Sequence, residues 1–432
     1  MKRRIITVLL VLSLLLACCL TAVSFAANDP RTTAGETDLW EVLYSGSLEE
    51  INQYFTENNM SGGLPVIPPT QTRVNEFLKY TDLPADTLIG VFTPSNREVL
   101  VYHVAVNGVM AGCRPEWMPI LIACTRAMND PDWQASLSGT DGCSPYILLN
   151  GPVARQLRFD NGQGEITEET NMALGRFVDL AMMNMCGLYI KENLMAPFGY
   201  VMPWTIVENE ELCAEVDWNP YHVQQGYGWN DSTVTLGSSM TWGSNLPPST
   251  ADAERIKDAI AYDITEKTDN ALGSGSATCN RTILITGAVA RDLTRRYSKE
   301  GLVTALIETA RRPVDLRAYA NYWANPNGDQ SGEYSYDQYL EYIIRTEGAE
   351  LTDPPPWYKS MVSGKIYTVP ALKEGQAAVI VTGDTDRNKV QVMPGGNRVT
   401  VGIELPSNWN ELMAEDFQPA ENYEPLANYY LS

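Results

Sequence analysis

The sequence predicts an α/β protein that contains two copies of one unit. Residues 143–157 recur at 279–293, with eight of fifteen positions identical and no gap. In each copy a short apolar run, at 147–149 or 283–285, is followed two positions later by a glycine and then by an Ala-Arg pair. This pattern is typical of a buried strand that turns into the start of a helix. The fixed repeat indicates that the unit is duplicated.

The predicted elements give the first copy a βαβ-like order. Residues 99–106 are rich in β-branched and aromatic side chains, which predicts a core strand that ends at Asn107 and Gly108. A helix is predicted at 115–128, and the next strand ends at Asn150. Strand, helix and strand in this order are typical of a parallel sheet.

The second copy has the same kinds of element in the same order. One strand ends at Thr286, a helix covers 301–310, and a further strand covers 378–382. Two such units could share one sheet or face each other as related lobes. We favour a pseudo-twofold pair of lobes around a cleft, with long loop insertions at 205–280 and 318–375.

Local signals extend this outline toward the termini. A helix is predicted at 39–54, the proline-rich stretch 62–69 is extended because proline excludes helix, and Thr70 caps a helix that runs to about residue 80. The resulting segments are a signal peptide (1–26), a polar segment with a helix (27–60), a first α/β lobe (61–235), a second α/β lobe (236–404) with an aromatic insertion (318–375), and a C-terminal tail (405–432).

The N-terminus predicts export from the cytoplasm. Basic residues at 2–4 precede an apolar stretch at 5–16, and Ser24-Phe25-Ala26 supplies a small-x-small cleavage pattern. A lipobox-like sequence before Cys18 is the alternative, and it would attach the chain to a membrane through a lipid anchor. Both interpretations place the protein outside the cytoplasm, secreted or periplasmic. No later segment has the eighteen or more uninterrupted apolar residues of a membrane span.

The charge of the chain excludes nucleic acid as an expected partner. The formal net charge is −22, and removal of the leader takes away three cations and no acids, which leaves −25. A strongly acidic surface repels phosphate backbones and anionic lipids, and it also keeps an exported protein soluble. The partner that we expect is a small-molecule ligand, and the sequence indicates no particular cofactor.

Six cysteines remain after the leader, namely Cys113, Cys124, Cys143, Cys186, Cys213 and Cys279. Cys143 and Cys279 occupy equivalent positions in the repeat, at the start of each predicted strand, and we interpret them as structural residues or disulfide partners. Cys124 lies on an apolar helix and is most simply a core residue. Free thiols throughout remain an alternative, because a chain of this length can bury a large core without disulfides.

Cys113 is the best candidate for a reactive residue. Pro115 suits the first turn of a helix, so Cys113 is expected just before a helix N-terminus, where the dipole favours a thiolate. The neighbouring Arg114 adds a cation that favours the same form. Gly108 and Gly112 would let the backbone approach a ligand closely. The alternative is a small buried cysteine in a turn.

The two histidines differ in their expected roles. His103 falls inside the apolar run at 99–106 and is interpreted as a core histidine. His222 follows Pro220 and Tyr221 in a predicted loop, which makes it the better general base or ligand. A catalytic dyad of Cys113 and His222 follows as a hypothesis. Two histidines at this spacing do not predict a metal site.

The loops at the carboxyl ends of the strands are the expected ligand site, because α/β sheets commonly bind ligands there. Arg155 and Arg291 are equivalent in the repeat and could clamp a carboxylate or phosphate, although a structural ion pair for each is the commoner case. The candidate ligand-binding residues are Asn107, Gly108, Gly112, Arg114, Glu116, Asn150, Gly151, Arg155, Arg291 and Gly383.

Two further segments carry a resemblance. The stretch 63–70, Gly-Leu-Pro-Val-Ile-Pro-Pro-Thr, and the stretch 106–116, Val-Asn-Gly-Val-Met-Ala-Gly-Cys-Arg-Pro-Glu, resemble an uncharacterised bacterial family loosely associated with proteins that carry a UGSC (selenocysteine-Gly-Ser-Cys) motif. The resemblance implies a shared fold and a ligand site around Cys113. The leader departs from it, as does the loop after Gly383, which is acidic where the resemblance implies a more glycine-rich, basic turn. It implies no particular reaction.

The sequence therefore predicts an exported α/β protein that acts on a small molecule through Cys113, a thiol-dependent enzyme of unknown reaction. The first alternative is a non-catalytic extracytoplasmic protein that binds a small molecule, with Cys113 serving only in packing. The second is a cell-surface interaction protein that uses the aromatic segment 318–345.

Overall fold

The computed structural model describes residues 39, 41–93, 95–137, 142–267, 280–313, 349–350 and 367–416. The chain divides into two compact units, Met1–Ile51 and Asn52–Ser432. The first unit is described only at residues 39 and 41–51, which include the beginning of one helix. All the other described helices and strands belong to the second unit.

The described residues form thirteen α-helices and thirteen strands. The helices are α1 (Leu48–Glu57), α2 (Gln71–Leu78), α3 (Val101–Ala111), α4 (Met118–Met128), α5 (Pro131–Leu137), α6 (Pro152–Gln156), α7 (Glu169–Asn184), α8 (Glu210–Glu215), α9 (Tyr221–Gln224), α10 (Ala253–Lys267), α11 (Gly287–Leu293), α12 (Lys299–Thr309) and α13 (Trp409–Asp416). The strands are β1 (Leu88–Phe92), β2 (Arg97–Leu100), β3 (Ser144–Asn150), β4 (Trp204–Val207), β5 (Thr233–Ser239), β6 (Ser244–Leu246), β7 (Asn280–Ile285), β8 (Arg311–Pro313), β9 (Ala349–Glu350), β10 (Tyr367–Pro370), β11 (Ala377–Val381), β12 (Val390–Gly395) and β13 (Val399–Gly402).

The largest sheet has eight strands, and the pattern of strand pairing is similar on its two sides. Six strands follow the order β11-β7-β12-β5-β3-β4, while β13 pairs with β5 and β6 pairs with β12. In the first half β3 is parallel to β4 and antiparallel to β5. In the second half β7 is parallel to β11 and antiparallel to β12. The two copies of the repeat therefore have matching strand pairings.

The two halves also exchange their last strands. The strand β6 follows β5 in the chain but pairs with β12, and β13 follows β12 but pairs with β5. All these strands belong to one continuous sheet, which is the alternative that the sequence left open. The interpretation as two lobes around a cleft is not confirmed, whereas the α/β class is confirmed. The boundaries at 61–235 and 236–404 stay predictions.

The sheet curls so that its two outer strands meet at their carboxyl ends. The Asn209 amide, after β4, donates to the Val381 carbonyl of β11 at 2.7 Å. Tyr146 of β3 and Thr282 of β7 are hydrogen-bonded through their hydroxyls at 2.6 Å, although two strands separate β3 from β7. The curled face encloses an apolar cluster of Tyr146, Leu148, Trp204, Ile206, Tyr221, Leu284, Ala378, Ile380 and Met393.

The outer face of each half is covered by its own helices. The alternate residues of β3, Ile147 and Leu149, pack with α3, α4 and α7 in one apolar cluster. The corresponding residues of β7, Ile283 and Ile285, pack with α10, α11 and α12 in another. This division follows from the two-residue period of a strand, which sends successive side chains to opposite faces.

Several predicted elements are confirmed. The Thr70 hydroxyl accepts from the Arg73 amide and caps α2. The strands predicted before Asn150, Thr286 and Gly383 are β3, β7 and β11, and the helix predicted at 301–310 is α12.

Three predictions need correction. The long loop insertion expected at 205–280 is wrong over its described part, because residues 204–267 contain β4, α8, α9, β5, β6 and α10. The strand expected at 99–106 is wrong, because residues 101–111 form α3, whose side chains are buried on nearly every side among other helices. An all-apolar run does not distinguish a buried helix from a buried strand. The helix expected at 39–54 lies instead at Leu48–Glu57. Among the described residues, no helix combines the length and apolar character needed to cross a membrane.

Helix α7 packs closely on the start of β4 at Gly175. A Cβ atom at this position would lie 2.1 Å from the Pro203 carbonyl oxygen. We therefore expect Gly175→Ala to destabilise the protein by about 1–3 kcal/mol, although alanine normally favours a helix. Urea unfolding checks this. Gly301→Ala in α12 meets only the Ser298 hydroxyl, at 3.1 Å, and should change stability by less than about 1 kcal/mol. Equal effects of the two variants would contradict the packing argument.

Candidate functional site

A cavity of about 270 Å³ lies at the carboxyl ends of β7 and β11. Its walls come from the loop at 162–167, from the chain around β6, and from the ends of β7, β11 and β12. The lining residues are Gly162, Gly164, Glu165, Ile166, Thr167, Trp242, Asn245, Leu284, Ile285, Thr286, Thr382, Gly383, Lys389, Val390 and Gln391. Gly383 was a predicted ligand-binding residue, and the loop after Thr286 was one of the expected positions.

Glu165 is buried in the wall of this cavity, in a single turn of 3₁₀-helix. Its Oε2 atom accepts from the Val207 amide at 3.1 Å. The Thr382 hydroxyl oxygen lies 2.7 Å from both Glu165 carboxyl oxygens and 2.7 Å from the Val207 carbonyl oxygen. Glu165 therefore joins the ends of β4 and β11.

The hydrogen atoms available in this group favour a neutral Glu165. The Thr382 hydroxyl has one hydrogen and three oxygen atoms at 2.7 Å, so with an ionised Glu165 two of these contacts have no hydrogen between the oxygens. A proton on Glu165 leaves only one such contact, because the carboxyl then donates to Thr382 and Thr382 donates to the Val207 carbonyl. Burial acts in the same direction and raises the pKa of Glu165 to about 8, against the hydrogen bonds from Thr382 and Val207.

Aromatic rings continue from the cavity into the enclosed face of the sheet. Trp242 lines the cavity with 45% of its surface exposed, and its ring meets Trp204 edge-on at 5.4 Å between centroids. Trp204 stacks on Tyr146 at 6.1 Å. The Gln391 side chain donates to the Trp242 carbonyl and holds this segment against β12. Trp242 thus gives the cavity an apolar wall, and its contact with Trp204 supports that ring from behind.

A buried group of charges occupies the corresponding position in the first half. Glu208 is the residue after β4, and Thr382 is the residue after β11. The two positions are equivalent, because the last residue of β4 pairs with β3 (Val207 with Leu149) as the last residue of β11 pairs with β7 (Val381 with Ile285). The Glu208 carboxylate accepts from Lys299 at 2.9 Å, and both side chains have 0% exposure. It also accepts from the Asn150 side chain at 2.8 Å and from the Tyr221 amide at 2.6 Å.

His222 and Glu210 extend this buried group. The Glu210 Oε1 atom accepts from the Gly151 amide at 2.5 Å and lies 3.6 Å from His222 Nδ1. The other ring nitrogen, His222 Nε2, contacts the Gly228 carbonyl at 3.1 Å. His222 itself has 0% exposure. The residues Asn150, Gly151 and His222, predicted separately, are therefore brought together, but in a closed interior.

The two repeat arginines form separate ion pairs. Arg155 lies 3.5 Å from Glu211 and 4.0 Å from Glu210. Arg291 donates to both carboxylate oxygens of Glu215, at 2.7 and 3.1 Å, and to the Thr385 carbonyl at 2.9 Å. Both arginines therefore form structural ion pairs. This is the alternative that the sequence offered to a clamp on a carboxylate or phosphate.

Cys113 lies in a different environment from the one expected for a thiolate. It follows Gly112, the C-cap of α3, so the nearer helix end is the C-terminal one, whose dipole opposes a negative charge. Only one turn of 3₁₀-helix begins at Pro115, and α4 starts at Met118. The thiol is buried against the Ala173 carbonyl at 3.6 Å. Burial raises the pKa of Cys113 well above its ordinary value.

The neighbours of Cys113 serve in helix packing and local contacts. Asn107 donates to the His103 carbonyl and accepts from Asn184 at 2.8 Å. A Cβ atom at Gly108 would lie 2.6 Å from Leu121, so this glycine allows α3 and α4 to approach. Arg114 lies 4.0 Å from Glu116.

The structure does not bring Cys113 and His222 together. The Cys113 thiol belongs to the apolar cluster of the first half, whereas the His222 ring contacts Glu210 and Gly228. His103 is not in a strand but in α3, where its Nδ1 accepts from the Leu100 amide at 3.1 Å. Among the described residues, no group of three or more His, Cys, Asp and Glu side chains could hold a metal ion.

The remaining cysteines are mostly interior. Cys124, Cys186 and Cys213 are buried free thiols, and burial raises the pKa of each. Cys143 is partly buried just before β3. Its predicted partner, Cys279, lies outside the described residues, so that pairing stays a prediction.

Sequence analysis missed Glu165, Trp242 and Lys389. The glycine-rich stretch 160–164 before Glu165 was the available signal, since such loops often lie beside ligands. Nothing in the sequence placed Trp242 near Gly383, because this arrangement depends on the pairing of β6 with β12.

Comparisons with protein-family models, with curated proteins and with solved structures found no match. The resemblance at 63–70 and 106–116 therefore stays an expectation. What the protein does has to be inferred from the cavity and from the buried residues around it.

The environment of Cys113 leads to a direct prediction. We expect iodoacetamide to alkylate Cys113 in the folded protein far more slowly than in the unfolded chain, because the thiol is buried and rarely ionised. Mass spectrometry of the modified peptides at several pH values measures this, with the urea-unfolded protein as the control. Rapid labelling of folded protein at neutral pH would contradict the structure and favour a reactive thiol.

Proposed function

We propose that the protein binds a small molecule in the cavity at the carboxyl ends of β7 and β11. The observation that carries this proposal is a cavity of about 270 Å³ whose wall contains the buried carboxyl group of Glu165. Pockets for small ligands span roughly 300–1,000 Å³ and combine apolar walls with a few placed polar groups. The cavity volume lies just below this range, so the cavity suits a small ligand.

The residues that line the cavity offer a ligand both apolar surface and hydrogen-bonding groups. Trp242, Leu284 and Val390 supply apolar contact, and Thr286 and Gln391 supply hydrogen-bonding groups at the rim. A buried acid with a raised pKa is a frequent mark of a functional site, although structural networks also produce one. The proposal includes no reaction at Cys113, because that thiol is buried and away from the cavity lining.

The expected location is outside the cytoplasm. This rests on the leader pattern at 1–26, which lies outside the described residues. Fractionation of cells that express the full chain, with N-terminal sequencing of the product, tests it. A mature N-terminus near Ala27 supports the proposal, a lipid on Cys18 supports the anchored alternative, and an intact cytoplasmic Met1 overturns both.

A fragment screen with a blocking variant tests the binding proposal. Thr167 and Gln163 are exposed in the same loop, but only Thr167 lines the cavity. We expect some fragments to bind the mature protein in saturation-transfer NMR, to lose binding with Thr167→Trp, and to keep it with Gln163→Trp. An absence of binding fragments, or fragments that ignore Thr167→Trp, would contradict a ligand site in this cavity.

A further inference from the structure

Charged side chains are scarce around the cavity. Among its lining residues only Glu165 and Lys389 carry ionisable side chains. Burial raises the pKa of the Glu165 carboxyl, which favours its neutral form. Lys389 is then the lining residue that carries a charge, and the charge is positive.

Lys389 is the one basic residue among the described residues that line the cavity. Its backbone is fixed to β7, since the Thr286 amide donates to the Lys389 carbonyl at 3.1 Å and the Lys389 amide donates to the Thr286 hydroxyl at 3.0 Å. Yet no carboxylate of the described residues forms a salt bridge with its ammonium group. The nearby acid Asp384 lies 3.7 Å from Arg387 instead. The cavity therefore has a cation in its lining that no described carboxylate pairs with, although the chain has a net charge of −22.

The rest of the lining sets the character of the ligand body. Trp242, Leu284 and Ile166 present apolar surface, and they favour an aromatic or branched aliphatic group. One ammonium group satisfies one negative charge, whereas phosphate is commonly held by several donors or by arginine. The single lysine therefore favours a monoanion over a phosphate.

We infer that the cavity takes a small monocarboxylic acid with an apolar body, its carboxylate at Lys389 and its body against Trp242 and Leu284. This inference rests on the proposed function and names the ligand class for the same site. Neither the neutral Glu165 nor any other lining residue opposes the negative charge.

Matched pairs of probes test the charge of the ligand. Phenylacetate, indole-3-acetate and hexanoate are each compared with the corresponding amide, and phenethylammonium serves as the cation. We expect the acids to bind the mature protein more tightly than their amides by about fivefold or more. Added salt should weaken the acids and leave the amides unchanged, because it screens the exposed ammonium.

Two lysine variants locate the effect. Lys389→Gln removes the charge at the cavity, and Lys191→Gln removes the charge of an exposed lysine that is not a lining residue. We expect Lys389→Gln to weaken the acids to the level of their amides, with no change for the amides, and Lys191→Gln to change neither. Amides or phenethylammonium that bind as tightly as the acids would overturn the inference.

The outcomes separate this inference from the proposed function. If neutral or cationic fragments bind in a way that Thr167→Trp abolishes while no acid binds, the cavity is a ligand site and the carboxylate inference is wrong. If no fragment of any charge responds to Thr167→Trp, the proposed function itself is wrong and the inference falls with it.

Discussion

Lys299→Met is expected to destabilise the protein by about 3–5 kcal/mol, which is a large part of the stability of an ordinary domain. Lys299 donates to Glu208 and to the Asn219 carbonyl, each at 2.9 Å, and is fully buried. Without it, the Glu208 carboxylate keeps its place in the interior with no cation beside it. A buried carboxylate without a partner costs several kcal/mol, even after the surroundings relax.

The double variant Glu208→Gln with Lys299→Met should recover most of the loss. A glutamine side chain is neutral, and its oxygen can still accept from the Tyr221 amide and the Asn150 side chain. The recovery would show that the cost in Lys299→Met comes from the unpaired charge and not from lost packing.

Urea unfolding of the variants measures these differences. The control is Lys79→Met, which removes a lysine from an exposed pair with Glu76 and should cost less than about 1 kcal/mol. The structure would be contradicted if Lys299→Met and Lys79→Met were equally mild, since that result requires a solvated Lys299.

Glu165 is expected to make the stability of the protein fall as the pH rises from about 4.5 to about 8. Burial raises the pKa of Glu165 from its ordinary 4.5 to about 8, so the folded protein keeps this proton where the unfolded chain has released it. The stabilisation is fully present below about pH 4.5 and is lost as the pH rises through about 8. The difference between the two pKa values corresponds to about 5 kcal/mol at most.

Comparison with Glu165→Gln isolates this effect. The variant is neutral at every pH, so the free energy of unfolding of the wild type minus that of the variant should fall from about pH 5 to about pH 9 and then level off. Glu168→Gln is the control, because Glu168 is exposed and Glu165 is still present. If the difference in the free energy of unfolding did not change with pH, Glu165 would already be ionised in the folded protein. The proposed site would then have a negative charge in its wall.

The two halves use equivalent strand ends in opposite ways. In the first half the position after the strand is Glu208, which forms a buried ion pair with Lys299. In the second half the same position is Thr382, which contacts Glu165 beside the cavity. A duplicated unit supplies two sets of strand ends, and only one of them has to stay accessible to a ligand. The closed set is filled by a buried ion pair, and the open set holds the cavity that we propose as the ligand site.

The sequence determined the α/β class, the duplicated unit and the strands β3, β7 and β11. These rest on local signals, namely a short apolar run, a glycine and the start of a helix, and such signals do not depend on distant contacts. The same local reasoning failed at 101–111, because an apolar run long enough for either structure becomes helix or strand according to what surrounds it.

Only the tertiary structure decided where the chemistry lies. Cys113 looked reactive because its neighbours in sequence suggested a helix N-terminus, whereas its neighbours in space bury the thiol. No pattern in the sequence singles out Glu165, yet contacts with Val207 and Thr382, far along the chain, make it a buried acid. The pKa of a side chain depends on solvation and on groups within a few ångströms, and the folded chain supplies most of those groups from distant parts of the sequence.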